Sequence, residues 1–119
     1  MSLVIDLFDP VAGDYAYLNA VENDAAGFES YRRAVWGAEA LRRRGLLLLP
    51  RLRDGDLFVY PAALDAFAAE CAAIRDDAAA IAGELGGDAA FAERLVDYAT
   101  RFLAATALAR SRGAGVCIS

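Results

Sequence analysis

Two runs of apolar residues spaced three and four apart constrain this chain more than anything else in it. The first is Leu64, Phe67, Cys71, Ile74, Ala78, Ile81 and Leu85; the second is Phe91, Leu95, Tyr98, Phe102, Ala105 and Ala109. Such spacing gathers each set onto one face of a helix. Between them, Gly86-Gly87-Asp88 combines a stop with a start. Glycine ends a helix in the left-handed conformation, and an aspartate side chain accepts from the free amides of the next first turn. The second half of the chain therefore predicts an antiparallel helical hairpin. Pro61 suits the first turn of the leading helix, where its missing amide is not needed. That helix is expected to reach Gly83 or Leu85, and its partner to run to about Arg112 and stop at Gly113.

The first half reads as mixed structure. Leu3, Ile5 and Leu7 alternate with more polar positions up to Phe8, as in a strand with one buried face, and Asp9-Pro10 ends it. Residues 14–20 fit a strand or the start of a helical face, and both readings stay open. Phe28, Tyr31, Val35, Ala38 and Leu41 recur at helical spacing, with Glu29 early and Arg42-Arg43-Arg44 late, as the helix dipole favours. A helix is expected over about 27–44, closed by Gly45. Leu46 to Leu49, the turn residues Arg53-Asp54-Gly55-Asp56, and Leu57 to Tyr60 then predict a β-hairpin over about 46–60. Pro50 in its first arm implies an edge position or an early end to pairing. Val116-Cys117-Ile118 reads as a last short strand. The expected fold is α+β in a single domain, 1–119: a small antiparallel sheet with that hairpin, packed against an N-terminal-half helix and the C-terminal helical hairpin. At 119 residues the chain is of a size to bury one core.

Histidine is absent from the whole sequence. That excludes Ser-His-Asp and Cys-His nucleophiles, an imidazole base and histidine-ligated zinc. Two cysteines cannot supply a four-thiolate zinc site, and Cys71 sits at a ladder position as a small core residue. The acid pairs Asp54/Asp56 and Asp76/Asp77 could in principle hold magnesium or do acid–base work. They read more simply as a turn and a solvated helix face. The glycines at 83–87 and 113–115 lie at helix ends, without the Lys-Ser/Thr of a phosphate loop. No catalytic residue, metal or cofactor is expected. No apolar run reaches membrane-spanning length, and the first residues lack a basic leader, so no membrane association and a cytoplasmic location are expected.

Charge is distributed in bands. Residues 1–31 carry six acids and no base, residues 32–53 carry seven arginines against Glu39 alone, and the net charge is −5. The acids Asp6, Asp9, Asp14, Glu22, Asp24 and Glu29, with Tyr15 and Tyr17 among them, are the expected partner-binding set, since an aromatic centre with a charged rim suits a protein interface. The partner they fit is a basic protein domain. The alternative set is Arg42, Arg43, Arg44, Arg51 and Arg53, which could take an anionic small molecule as ligand or substrate, or bind RNA with Tyr31 and Trp36 as stacking groups. The net negative charge argues against nucleic acid. A homodimer stays open, because an alanine-rich helix face packs closely on its own copy.

Gly45-Leu46-Leu47-Leu48-Leu49-Pro50, Asp54-Gly55-Asp56-Leu57-Phe58-Val59-Tyr60, the long alanine-rich helix and the closing Gly115-Val116-Cys117-Ile118 together resemble the layout of small acidic bacterial immunity-type proteins of polymorphic toxin systems. The likeness covers mainly residues 45–119 and contains no diagnostic motif. It implies a non-enzymatic protein that neutralises one cognate toxin by occlusion, and it transfers no individual functional residue.

Overall fold

The computed structural model describes residues 2–11, the backbone of 16 and 17, and residues 21–119. Its sheet is built on strand β1 (Ser2–Asp9). Leu3, Ile5 and Leu7 are buried on one face while Val4 is exposed, as the alternation requires. Strand β5 (Gly115–Ile118) runs antiparallel beside β1, pairing Ile5 with Ile118 and Leu7 with Val116. Strand β4 (Leu57–Val59) lies on the far side of β5, pairing Leu57 with Ile118 and Val59 with Val116. The same-face residues of these three strands form one apolar layer beneath the helices. On the other edge of β1, strand β2 (Ala16–Tyr17) pairs near Phe8, and strand β3 (Ala25–Phe28) pairs near Ser2 and Val4.

The architecture is α+β with a helical hairpin at the C-terminus, as expected. Of the short stretch read two ways, residues 16 and 17 pair with β1, and the rest lies outside the described residues. Helix α2 (Leu64–Asp76) and helix α4 (Ala89–Arg112) pack together across the sheet, with Phe67 and Phe102 in ring contact at 6.0 Å. The ladder is packed: Leu64, Phe67, Cys71, Ile74, Ala78, Ile81, Leu95, Phe102, Ala105 and Ala109 are all buried. Asp88 caps α4 by accepting from the Phe91 amide at 2.9 Å. Gly113 ends it at φ 63°, a left-handed conformation that costs glycine little. The leading helix is interrupted once, at Asp77, which separates α2 from helix α3 (Ala78–Glu84).

Two expected elements are absent. The hairpin over 46–60 does not form: β4 pairs with β5, and Leu46 to Leu49 pair with no strand. The amides that a first arm would have offered are taken by one side chain. The Glu70 carboxylate on α2 accepts from the backbone N–H of Leu47 at 3.0 Å, Leu48 at 2.9 Å and Leu49 at 3.2 Å. With those donors converged on one anion, the chain turns into a 3-10 turn over Leu49–Arg53, with Pro50 early in it. Leu46, Leu48, Leu49 and Leu52 are buried, and Leu47 is left 72% exposed.

The continuous helix over 27–44 is also absent. Residues 25–28 are drawn into the sheet as β3, residues Arg32–Trp36 form a single π-type turn, and only Glu39–Arg42 is α-helical, as α1. The break falls at Gly37, whose amide donates to the Arg32 carbonyl at 2.9 Å. A Cβ on Gly37 would lie 2.5 Å from both that carbonyl oxygen and Arg53 Cβ, so the close approach needs glycine. The apolar spacing still marked buried positions, because Val35 and Leu41 enter the core; Phe28, on the strand, is 62% exposed.

Glu70→Ala should lower stability by about 2–3 kcal/mol, and Glu70→Gln by less, read as a shift in the urea midpoint; an unchanged midpoint for both would show that the carboxylate does not hold the turn. Gly37→Ala should cost about 1–3 kcal/mol in the same measurement through the clash it creates.

Candidate functional site

The turn over 49–53 packs on the body of the molecule with its apolar residues buried and its arginines outward. Leu49, Pro50 and Leu52 are buried, whereas Arg51 and Arg53 are exposed. A second arginine braces it from the side. Arg32 donates through Nη1 to the carbonyls of Leu52, at 3.2 Å, and Gly55. Its Nη2 pairs with Asp56 at 3.1 Å and its Nε with Glu29 at 2.7 Å. Partial burial alone would lower the Arg32 pKa, but hydrogen bonds with Glu29 and Asp56, and their charges, outweigh it and raise the pKa. Arg32 therefore acts as a strut between the 29–32 segment and the 52–56 turn.

Two open clefts flank this turn. One, of about 640 Å³, is lined by Glu29, Arg32, Arg33, Arg53, Asp54 and Asp56 among others. The other, of about 380 Å³, is lined by Arg42, Leu46, Leu47, Pro50, Arg51 and Asp54. Asp54 borders both, so the clefts adjoin. Leu47 lines the second cleft, whereas the exposed Phe28 lines neither and stands against the Tyr31 ring at 5.7 Å. A further cleft, of about 630 Å³, lies between residues 21–23 and the outer side of α4, where Glu22 meets a wall containing Asp97, Arg101 and Arg112.

Three of the described carboxylates of the acidic set hold groups of the chain itself. Asp6 and Asp9 accept from nearby backbone amides, of Leu7 at 2.8 Å and Val11 at 2.9 Å, and Glu29 is held by Arg32. Glu22 and Asp24 are exposed. Asp14, Tyr15 and the Tyr17 side chain lie outside the described residues.

The basic set also divides. Arg44 pairs with Asp77 at 2.5 Å and Glu84 at 2.8 Å, tying the end of α1 to α3. Arg53 reaches only the Gly37 carbonyl, at 3.5 Å, and Arg42, Arg43 and Arg51 are exposed without an ion pair among the described residues. The stacking pair expected for RNA is committed elsewhere. Trp36 is fully buried, donates from Nε1 to the Ala26 carbonyl at 2.9 Å, and packs on Tyr98 and Phe102. Tyr31 is half-buried among Phe28, Trp36, Phe91 and Tyr98. Of the acid pairs, Asp56, Asp76 and Asp77 are each bound to an arginine.

Sequence reasoning missed two residues here. Leu47 looked like one core leucine among four, and Glu70 like one acid among several on a helix. The only sequence signal for either was Glu70 facing the side of α2 next to Cys71, a position whose use depends on a segment more than twenty residues away.

Cys71 is a ladder residue without a reactive role. Burial, aided by the neighbouring Glu70 charge, pushes its thiol well above the ordinary range, so thiolate is scarce. In the folded protein Cys71 should resist iodoacetamide at mildly alkaline pH and label fully in urea, as read by peptide mass spectrometry; fast labelling of the native state would show that the ladder opens. Among the described residues no three cysteine or acidic side chains converge as a metal site, and no helix is long and apolar enough to cross a membrane. The chain matches no family model, no curated protein and no solved structure with which it was compared.

Proposed function

We propose that this protein is a non-enzymatic recognition module that binds a partner protein through the face formed by the two adjoining clefts around residues 49–54. The observation that carries this reading is one exposed leucine, Leu47, sharing a cleft with Arg42 and Arg51, which have no ion pair among the described residues. Large apolar groups rimmed by charge are what the centres of protein interfaces are made of. The support beneath is firm: Glu70 and Arg32 fix the turn from two sides, so little conformational freedom is lost when a partner docks.

The acidic N-terminal residues support a contact less well, because Asp6, Asp9 and Glu29 already spend their carboxylates on the chain's own groups. Glu22 and Asp24 remain available to extend an interface. In its concrete form the module is cytoplasmic and neutralises a bacterial toxin by covering the toxin's active site, the role implied by its layout. Such a role needs shape and charge on a stable scaffold and no catalytic group.

Where a toxin domain is encoded beside this gene, co-expression of the two should suppress the toxin's lethality and give a complex that survives gel filtration. Leu47→Ser should weaken the complex by about 2 kcal/mol, roughly thirtyfold, without changing the circular-dichroism melt. Absence of both protection and complex would refute the toxin-neutralising role; a complex indifferent to Leu47→Ser would move the contact off this face.

A further inference from the structure

We infer that the partner segment seated on this face is acidic, with an apolar side chain set beside Leu47 and carboxylates held by Arg42 and Arg51 on one side of the turn and by Arg33 and Arg53 on the other. The inference rests on reading the face as a protein-binding surface and adds the chemistry of what it binds.

The distribution of ion pairs is the first reason. The chain has seventeen acids for twelve arginines. Arg32, Arg44, Arg75, Arg101 and Arg110 are all paired with carboxylates, and Arg94 lies over the Phe91 ring at 5.7 Å. Arg33, Arg42, Arg43, Arg51, Arg53 and Arg112 have no ion pair among the described residues; all but Arg112 fall within residues 33–53, and Arg33, Arg42, Arg51 and Arg53 line the two clefts. In a chain with surplus acid, a cluster of unanswered guanidinium groups is an unfilled complement for carboxylates. The planar fork of arginine binds a carboxylate through two parallel hydrogen bonds.

The second reason is the apolar floor. Arg42 and Arg51 share their cleft with Leu46, Leu47 and Pro50, so a ligand there meets cations and hydrocarbon together. An acidic peptide segment with one leucine, isoleucine or aromatic residue offers both. A nucleic acid does not, since its backbone carries charge at every step and would pass Asp54, which borders both clefts, and the Glu29 and Asp56 carboxylates on the wall. A peptide can place a neutral residue opposite Asp54 and acids to either side. That acid thus selects for spaced rather than continuous negative charge.

A display library of random 16-residue peptides sorted on the full chain would test this. Enriched peptides should carry two or more acids around a large apolar residue, bind more weakly as salt rises, and lose about tenfold or more in affinity to the double variant Arg42→Gln/Arg51→Gln. An uncharged consensus, or no enrichment, overturns the inference. Binding lost in Leu47→Ser but untouched in the arginine variant also overturns it, while leaving the face as a protein-binding surface. Binding untouched by Leu47→Ser and the arginine variant alike overturns the reading of the face itself. A fluorescent 20-nucleotide oligouridine supplies the remaining arm: arginine-dependent binding as tight as the best peptide would make this a phosphate site instead.

Discussion

One carboxylate, that of Glu70, accepts from three consecutive backbone amides, and the shape of the molecule's exposed arginine-rich face follows from it. Leu46 to Leu49 would otherwise present a strand-like row of donors and acceptors to either side. Drawing the donors of residues 47–49 onto one anion curls the segment, starts the 3-10 turn at Leu49, and sends Leu48 and Leu49 inward while Leu47 faces out. The anion sits where a helix-like turn offers its free N–H groups, so charge and dipole agree in sign. Charge-assisted bonds of this kind are roughly twice as strong as neutral ones, and three of them outweigh the β propensity of a four-leucine run that is not itself β-branched.

The sheet imposes the other large constraint. β5 lies between β1 and β4, so residues 115–118 must return across the molecule to pair with residues 5–8. Helix α4 makes that return. Its 24 residues span about 36 Å at 1.5 Å per residue, and Gly113 reverses the chain at its end into β5. With the first and last described strands side by side, the sheet depends on contacts distant in sequence. The ladder is the seam between the sheet and the helical hairpin: buried on the inner side of α2 and α4, it covers the apolar layer of β1, β4 and β5.

What could be read from the sequence divides along the same line. The ladders, the Asp88 cap, the Gly113 stop, strand β1 and the last strand are each set by residues within a few positions of one another, and local chemistry decided them. The hairpin over 46–60 and the helix over 27–44 were misread because their outcome is decided by distant groups: Glu70 for the first, and the β1 edge together with Arg53 against Gly37 for the second. The candidate face was half legible. Arg42, Arg51 and Arg53 stood out in the basic band, but that Arg44 would be consumed by Asp77 and Glu84, and that Leu47 would stay outside, depends on folding brought about by residues 70–84.

The bands of charge therefore have a different meaning in three dimensions from the one they have along the chain. Arg32 draws Glu29 from the acidic band and Asp56 from the stretch beyond into one partly buried network, and Arg44 does the same with α3. Exposed ion pairs contribute little individually, yet both of these arginines are less exposed than the acids they hold and join segments that share no strand or helix. They fasten the fold. The other arginines between 33 and 53 have no ion pair among the described residues. In the reading proposed above, the turn braced by Glu70 and Arg32 holds Arg51 and Arg53 outward before any partner arrives, so the ordering cost of meeting carboxylates there is already met within the fold.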